Sequence, residues 1–121
     1  MTTQIDAQLP ELTFFAASEL LGAIAVEARL KILWALLHGE HSVNELAEHV
    51  NANASAVSQH LGRLRELDLV TARRQGNFIF YTCDHPHVRA IANEALKHAT
   101  HAMHPTSPNG DLPHSQLEGQ K

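Results

Sequence analysis

Cysteine is nearly absent: Cys83 is the single one among 121 residues, so no internal disulfide can form and a stapled, secreted scaffold is excluded. Aromatic residues make up only 5%, which leaves the core to Leu, Val, Ile and Ala within a hydrophobic fraction of 44%. No apolar run approaches the roughly 18–20 residues that span a bilayer. The start, Met1-Thr2-Thr3-Gln4-Ile5-Asp6, has neither the basic nor the apolar region of a signal peptide. These absences predict a cytoplasmic protein with no membrane partner. Surplus positive charge is missing too, since the formal net charge is -4, which argues against a generally adhesive polycation. Nor is there a His-Glu-x-x-His motif, a Gly-rich phosphate loop or a nucleophile motif, and 121 residues leave no room for a separate cofactor domain. An enzyme is not expected.

Apolar periodicity is abundant and mostly helical. Residues 1–9 read as a flexible N-terminal arm. From Pro10, in the first turn, a helix places Leu12, Phe15, Leu20, Leu21 and Ile24 roughly on one side. A second helix spans about 26–38, with Leu30, Ile32, Leu33, Leu36 and Leu37 as its apolar face and Gly39 as its stop. Ser42-Val43-Asn44-Glu45 matches a capping box and opens a short helix over 43–50. A turn at Asn51-Ala52-Asn53 leads to a longer helix ending near Leu67, with Val57, Leu61, Leu64 and Leu67 buried. A short helix, a tight turn and a longer helix make a helix-turn-helix.

The period then switches to two. Residues 69–74 and 78–82 read as strands joined by Gln75-Gly76-Asn77, a hairpin "wing" directly after the helix-turn-helix. Asp84-His85-Pro86 ends the second strand, and a last helix runs from about His87 to Met103, with Pro86 suited to its first position. The expected fold class is therefore mainly α with a β-hairpin, a winged helix-turn-helix domain over 10–103. Residues 104–121, with Pro105, Pro108, Gly110 and Pro113 and few apolar residues, read as a disordered tail.

The helix over 54–67 carries Ser55, Ser58, Gln59, Arg63 and Arg65 away from its leucines. Ser and Gln hydrogen-bond base edges or phosphates, and Arg does either. His60 lies on the same helix and reads either as a phosphate contact or as a solvated side chain. The wing adds Arg73, Arg74 and Asn77. Residues 53–83 contain four Arg against Glu66 and Asp68, a local balance of 4 - 2 = +2, so the acidic surplus lies elsewhere and DNA binding is allowed.

Histidine occurs ten times, and six of the ten follow residue 84. Eleven residues of α-helix turn about 1100°, roughly 20° past three full turns, and rise about 16.5 Å. His87 and His98 therefore point the same way but cannot share an ion within one helix, because zinc ligands sit about 2.0–2.1 Å from the metal. Two antiparallel copies can combine them: His85 and His87 of one chain meet His98 and His101 of the other, giving two equal sites in a homodimer. Asp84 is a substitute for His85, and His104 an additional ligand. Imidazole and carboxylate donors suit zinc, nickel and cobalt; a four-ligand tetrahedral set favours Zn(II), narrowly, over Ni(II) or Co(II).

Arg29-Leu30-Lys31-Ile32-Leu33, Ser42-Val43-Asn44-Glu45-Leu46-Ala47, Ser55-Ala56-Val57-Ser58-Gln59-His60-Leu61 and Arg73-Arg74-Gln75-Gly76 before Phe80-Tyr81 together resemble the ArsR/SmtB family of bacterial metal-sensing repressors. The resemblance covers about residues 12–103. It implies a homodimeric winged helix with its first and last helices at the interface, here with Leu20, Leu21, Ile91 and Leu96 among the contacts. It also implies operator DNA, an inverted repeat, bound in the metal-free state and released with metal. Ser55, Ser58 and Gln59 match the family's recognition helix, and Arg73, Arg74 and Gly76 its wing. His85-Pro86-His87, ten residues, then His98-Ala99-Thr100-His101 is similar to the family's C-terminal helix site, with His85 where an aspartate is usual. The stretch from Phe80 to Arg89 is also similar to the mycobacterial nickel/cobalt-sensing branch. The family's thiolate site near residues 42–45 has no cysteine here. The competing reading is a winged-helix regulator that answers a non-metal signal, with incidental histidines. Cys83 reads as a small strand-end residue, and Trp34 as core or dimer packing.

Overall fold

Helix formation in this chain begins at a proline. The computed structural model describes residues 9–103; residues 1–8, His104 and the rest of the expected tail lie outside the described residues. Helix α1 (Glu11–Ile24) starts one residue after Pro10, which is its N-cap and accepts from Thr13 N–H at 2.9 Å. Pro10 thus stands just before the first turn, not within it. Helix α2 (Glu27–Leu37) buries Ile32, Leu33, Leu36 and Leu37, the stripe that its spacing predicts.

Strand β1 (His41–Ser42) is an addition to the expected elements. Two residues are too few to show a period of two, so only their pairing reveals the strand. Ser42 then caps helix α3 (Val43–Val50). Its Oγ accepts from Glu45 N–H at 3.2 Å, and Glu45 Oε1 accepts from Ser42 N–H at 2.9 Å, which completes the reciprocal box. Asn51, at φ 57°, closes α3 in the left-handed conformation that Asn tolerates. Helix α4 (Ala54–Glu66) starts where Asn53 Oδ1 accepts from Ala56 N–H at 2.7 Å. Val57, Leu61 and Leu64 are its buried stripe.

Strands β2 (Thr71–Gln75) and β3 (Phe78–Thr82) form the wing. The ladder begins two residues later than the alternation suggests. Leu69 and Val70 are buried ahead of it, and Gln75 pairs with Phe78 as part of it. The turn is therefore Gly76-Asn77 alone, with Gly76 at φ +63°, as a two-residue hairpin with glycine first requires. The sheet is antiparallel in the order β1-β3-β2.

Ile32, Leu33, Leu46, Val57, Leu61 and Leu64 are at most 1% exposed and make the centre of an aliphatic core. Burying each such side chain is worth about 1.5–3 kcal/mol. Contacts divide the chain after His85 into one unit containing α1 to α4 and the sheet, and a second unit containing helix α5 (Pro86–Met103), 18 residues in length. Pro86 opens α5 at the position where its missing N–H has no intrahelical acceptor to lose. No described helix is long and apolar enough to cross a membrane.

Candidate nucleic-acid interface and metal centre

Ser55, Ser58 and Gln59 are exposed on α4, three and four residues apart on one stripe, with Val57, Leu61 and Leu64 facing inward. Gly62 continues that stripe seven residues after Ser55, and a Cβ there would meet nothing within 4 Å. Sequence reasoning passed over Gly62. Its signal was a helix-interior glycine with no packing to account for it.

Two other members of the candidate set on α4 are engaged within the chain. His60 Nδ1 accepts from Arg29 Nε at 3.3 Å, and Arg29 Nη1 also donates to the Ala23 carbonyl at 3.0 Å. Acceptance at Nδ1 leaves the proton of a neutral ring on Nε2. Arg63 is half-buried and donates from Nη2 to Glu19 Oε1 at 3.1 Å and from Nη1 to Glu66 Oε1 at 3.2 Å. Its hydrogen bonds, Glu19's first, hold the guanidinium pKa above the usual arginine value.

On the wing, Arg73, Arg74 and Asn77 are all exposed. Arg74 Nη1 donates to the Gly76 carbonyl at 3.3 Å. Arg73 is more elaborately held. Its Nε and Nη2 donate to the two carboxylate oxygens of Glu40 at 2.6 and 2.7 Å, its Nη1 donates to Gln75 Oε1 at 2.6 Å, and its Cζ lies 5.1 Å from the centre of the Phe80 ring. The hydrogen bond from Arg73 holds the Glu40 carboxyl below the ordinary glutamate range. Glu40 was not among the expected site residues, because nothing local marks a glutamate 33 positions away as a partner.

Asp84 is exposed and His85 half-exposed immediately before α5; His87, His98 and His101 are exposed on α5. Because α5 is unbroken from Pro86 to Met103, His87 and His98 stand on one stripe about three turns apart, as their spacing implies. Among the described residues no three His, Cys, Asp or Glu side chains of a single chain come together to hold an ion. On α1, Leu12, Phe15 and Leu21 are 77%, 63% and 51% exposed, although periodicity puts them on one apolar side. Leu20 is half-buried on α1, as are Ile91 and Leu96 on α5. Cys83 is buried and Trp34 is 44% exposed, its ring edge-on to His38 at 4.4 Å.

The model of the family "Bacterial regulatory protein, arsR family" matches residues 27–72, which comprise α2, the helix-turn-helix and the start of the wing. The HTH-type transcriptional regulator KmtR of Mycobacterium tuberculosis is 43% identical over 94 residues, 78% of this chain and 72% of that protein. The crystal structure of the AntR antimony-specific transcriptional repressor superposes with a TM-score of 0.75 at 29% identity, over 83% of this chain and 91% of that one. The homodimeric winged helix-turn-helix domain of Mb0332 from Mycobacterium bovis superposes with a TM-score of 0.68 at 27% identity, over 84% of this chain and 92% of that one.

Proposed function

The chain belongs to the arsR family of bacterial regulatory proteins, and from that premise we propose that it is a metal-responsive repressor that binds operator DNA as a homodimer and lets it go when a divalent metal binds. Its recognition helix is α4, presenting Ser55, Ser58 and Gln59 to base edges in the major groove, with Arg74, Asn77 and Arg73 of the wing on the flanking backbone. Two-fold symmetry of the dimer calls for an inverted-repeat operator. His60 and Arg63 are tied to α2 and α1 and hold α4 in place, with His60 offering its remaining N–H to phosphate.

The observation that carries the metal reading is the stripe of exposed histidines on an unbroken α5. His87, with His85 or Asp84 beside it, comes from one copy; His98 and His101 come from the other, with His104 as an extra donor. Imidazole and carboxylate groups are intermediate and hard donors, so the donor set fits zinc first, then nickel or cobalt, and disfavours thiophilic ions. Residues of both copies would hold a bound metal, which would cross-link them; a difference in its affinity for two arrangements of the dimer would weaken DNA binding.

The test is fluorescence anisotropy of a labelled duplex from the DNA upstream of the chain's own gene, titrated with zinc, nickel and cobalt salts. Metal-free protein should bind, and one of the three metals should release the duplex at a stoichiometry near one ion per chain. Release by none of them would favour a winged-helix regulator with a non-metal signal.

A further inference from the structure

Glu40 is an acid placed against the wing, where a carboxylate should repel a DNA backbone. Its contacts give it a different task. An arginine has five N–H donors in one plane. On Arg73, Nε and one N–H of Nη2 are taken by Glu40, and one N–H of Nη1 by Gln75. One N–H then remains on each terminal nitrogen, and the side chain as a whole is still 51% exposed. Terminal guanidinium N–H groups of this kind make charge-assisted hydrogen bonds to phosphate oxygens.

The plane of the fork is also fixed. Arg73 and Phe80 are cross-strand partners, so both point to the same side of the sheet, and the guanidinium rests over the ring. Gln75, two residues along β2, lies on that side as well. Glu40 stands two residues before Ser42, the partner of Phe80 on β1, so the same side of the three strands carries the whole assembly. Arg63 differs in charge balance, since it faces two carboxylates, Glu66 and Glu19, where Arg73 faces Glu40 alone.

We propose that Glu40 is a positioning residue for DNA binding: with Gln75 and Phe80 it locks Arg73 in the orientation in which its two remaining terminal N–H groups grip one phosphate of the DNA backbone. A free arginine on a surface must freeze several torsions when it binds, and here that ordering is already in place. Glu40 holds the Nε/Nη2 edge of the guanidinium, and its side chain is 32% exposed, so salt partly screens its charge. This inference rests on the DNA-binding reading and makes no use of the metal.

The test uses the full-length, metal-free protein and two labelled duplexes, one from upstream of its own gene and one unrelated. Glu40→Gln should weaken binding to both by roughly tenfold, and Arg73→Ala at least as much. The double variant should bind no worse than Arg73→Ala alone, because Glu40 acts through Arg73. Arg73→Ala should also lower the slope of log affinity against log salt by about 1. Thermal melts within a few degrees of wild type separate this role from a structural one. Glu40→Asp, which keeps the charge but withdraws it by one methylene, should show a loss of the same kind. Tighter binding by Glu40→Gln would make Glu40 a competitor of phosphate and overturn the proposal; so would unchanged binding, additive losses in the double variant, or a loss confined to the upstream duplex. Failure of the wild-type protein to bind either duplex would instead remove the DNA-binding reading itself.

Discussion

Arg63 and Glu19 are 44 residues apart in sequence and 3.1 Å apart in space, and their ion pair ties recognition helix α4 to the first helix. Arg29 makes a second tie, from the end of α1 at the Ala23 carbonyl to His60 on α4. Helix α1 carries exposed Leu12, Phe15 and Leu21, so an element that presents an apolar face is moored to the element that presents the polar reading face.

Arg63 and Arg74 should respond differently to removal. The charge of Arg63 is already matched by two carboxylates, whereas Arg74 has a neutral carbonyl partner. Arg74→Ala is expected to lower the salt slope of DNA binding by about 1, as one lost phosphate contact should. Arg63→Ala should change that slope by much less. Equal slope changes in the two variants would place Arg63 directly on phosphate.

The Arg73–Glu40 pair predicts an acid limb in stability. The folded carboxyl of Glu40 is held below its ordinary value of 4.5, chiefly by the hydrogen bond from Arg73. A lowered pKa in the folded state means that the contribution is complete above the unfolded value and is lost as pH falls through the folded one. Arg73→Ala should return the Glu40 titration, followed by carboxyl carbon NMR, to about 4.5. A Glu40 midpoint that stays low in this variant would show that another group sets it.

The apolar side of α1 should be the dimer seam. Leu12→Glu combined with Phe15→Glu places charge on side chains that are 77% and 63% exposed in one chain, so the core of the domain is untouched. Sedimentation velocity should show a monomer where the wild type is a dimer, and operator affinity should fall because one half-site is read in place of two. A dimer that survives both changes would move the interface elsewhere.

His98→Ala should leave operator binding in the metal-free state intact and abolish release by metal. His98 is exposed on α5, so its loss opens no cavity. Because coupling is reciprocal, the wild-type protein should bind metal more weakly when DNA is present, by the same factor, and the variant should lose that dependence. Release at the wild-type metal concentration would rule out this helix as the site.

Gly62→Ala should raise the stability of the domain by about 0.5–1 kcal/mol, the helix-interior advantage of alanine over glycine. The added Cβ meets nothing within 4 Å and the residue is not in the left-handed region, so no strain offsets the gain. A lower melting temperature would contradict the open surroundings of this position.

What the sequence alone determined is what local rules govern. The capping box at Ser42 and Glu45, the Asn53 cap, the glycine turn at Gly76 and the leucine stripe of α4 each depend on residues within a few positions, so they are legible as a string. The alignment of His87 with His98 is of the same kind, because only the helical repeat is needed to derive it. Tertiary structure decided the rest. Strand β1 is too short to carry a period and exists through its pairing with Phe80 and Tyr81. Leu12 and Phe15 lie on the apolar side that periodicity draws for α1 and yet stay exposed, which a single helix's pattern cannot tell. The partners of Arg63 and Arg73 lie 44 and 33 residues away, and such charges meet only after packing has brought their helices and strands together. Charge counted along the chain gave the wing and recognition helix a surplus; folding set Glu19 and Glu40 against two of those arginines, which is why the count alone could not tell which of them remain available to DNA.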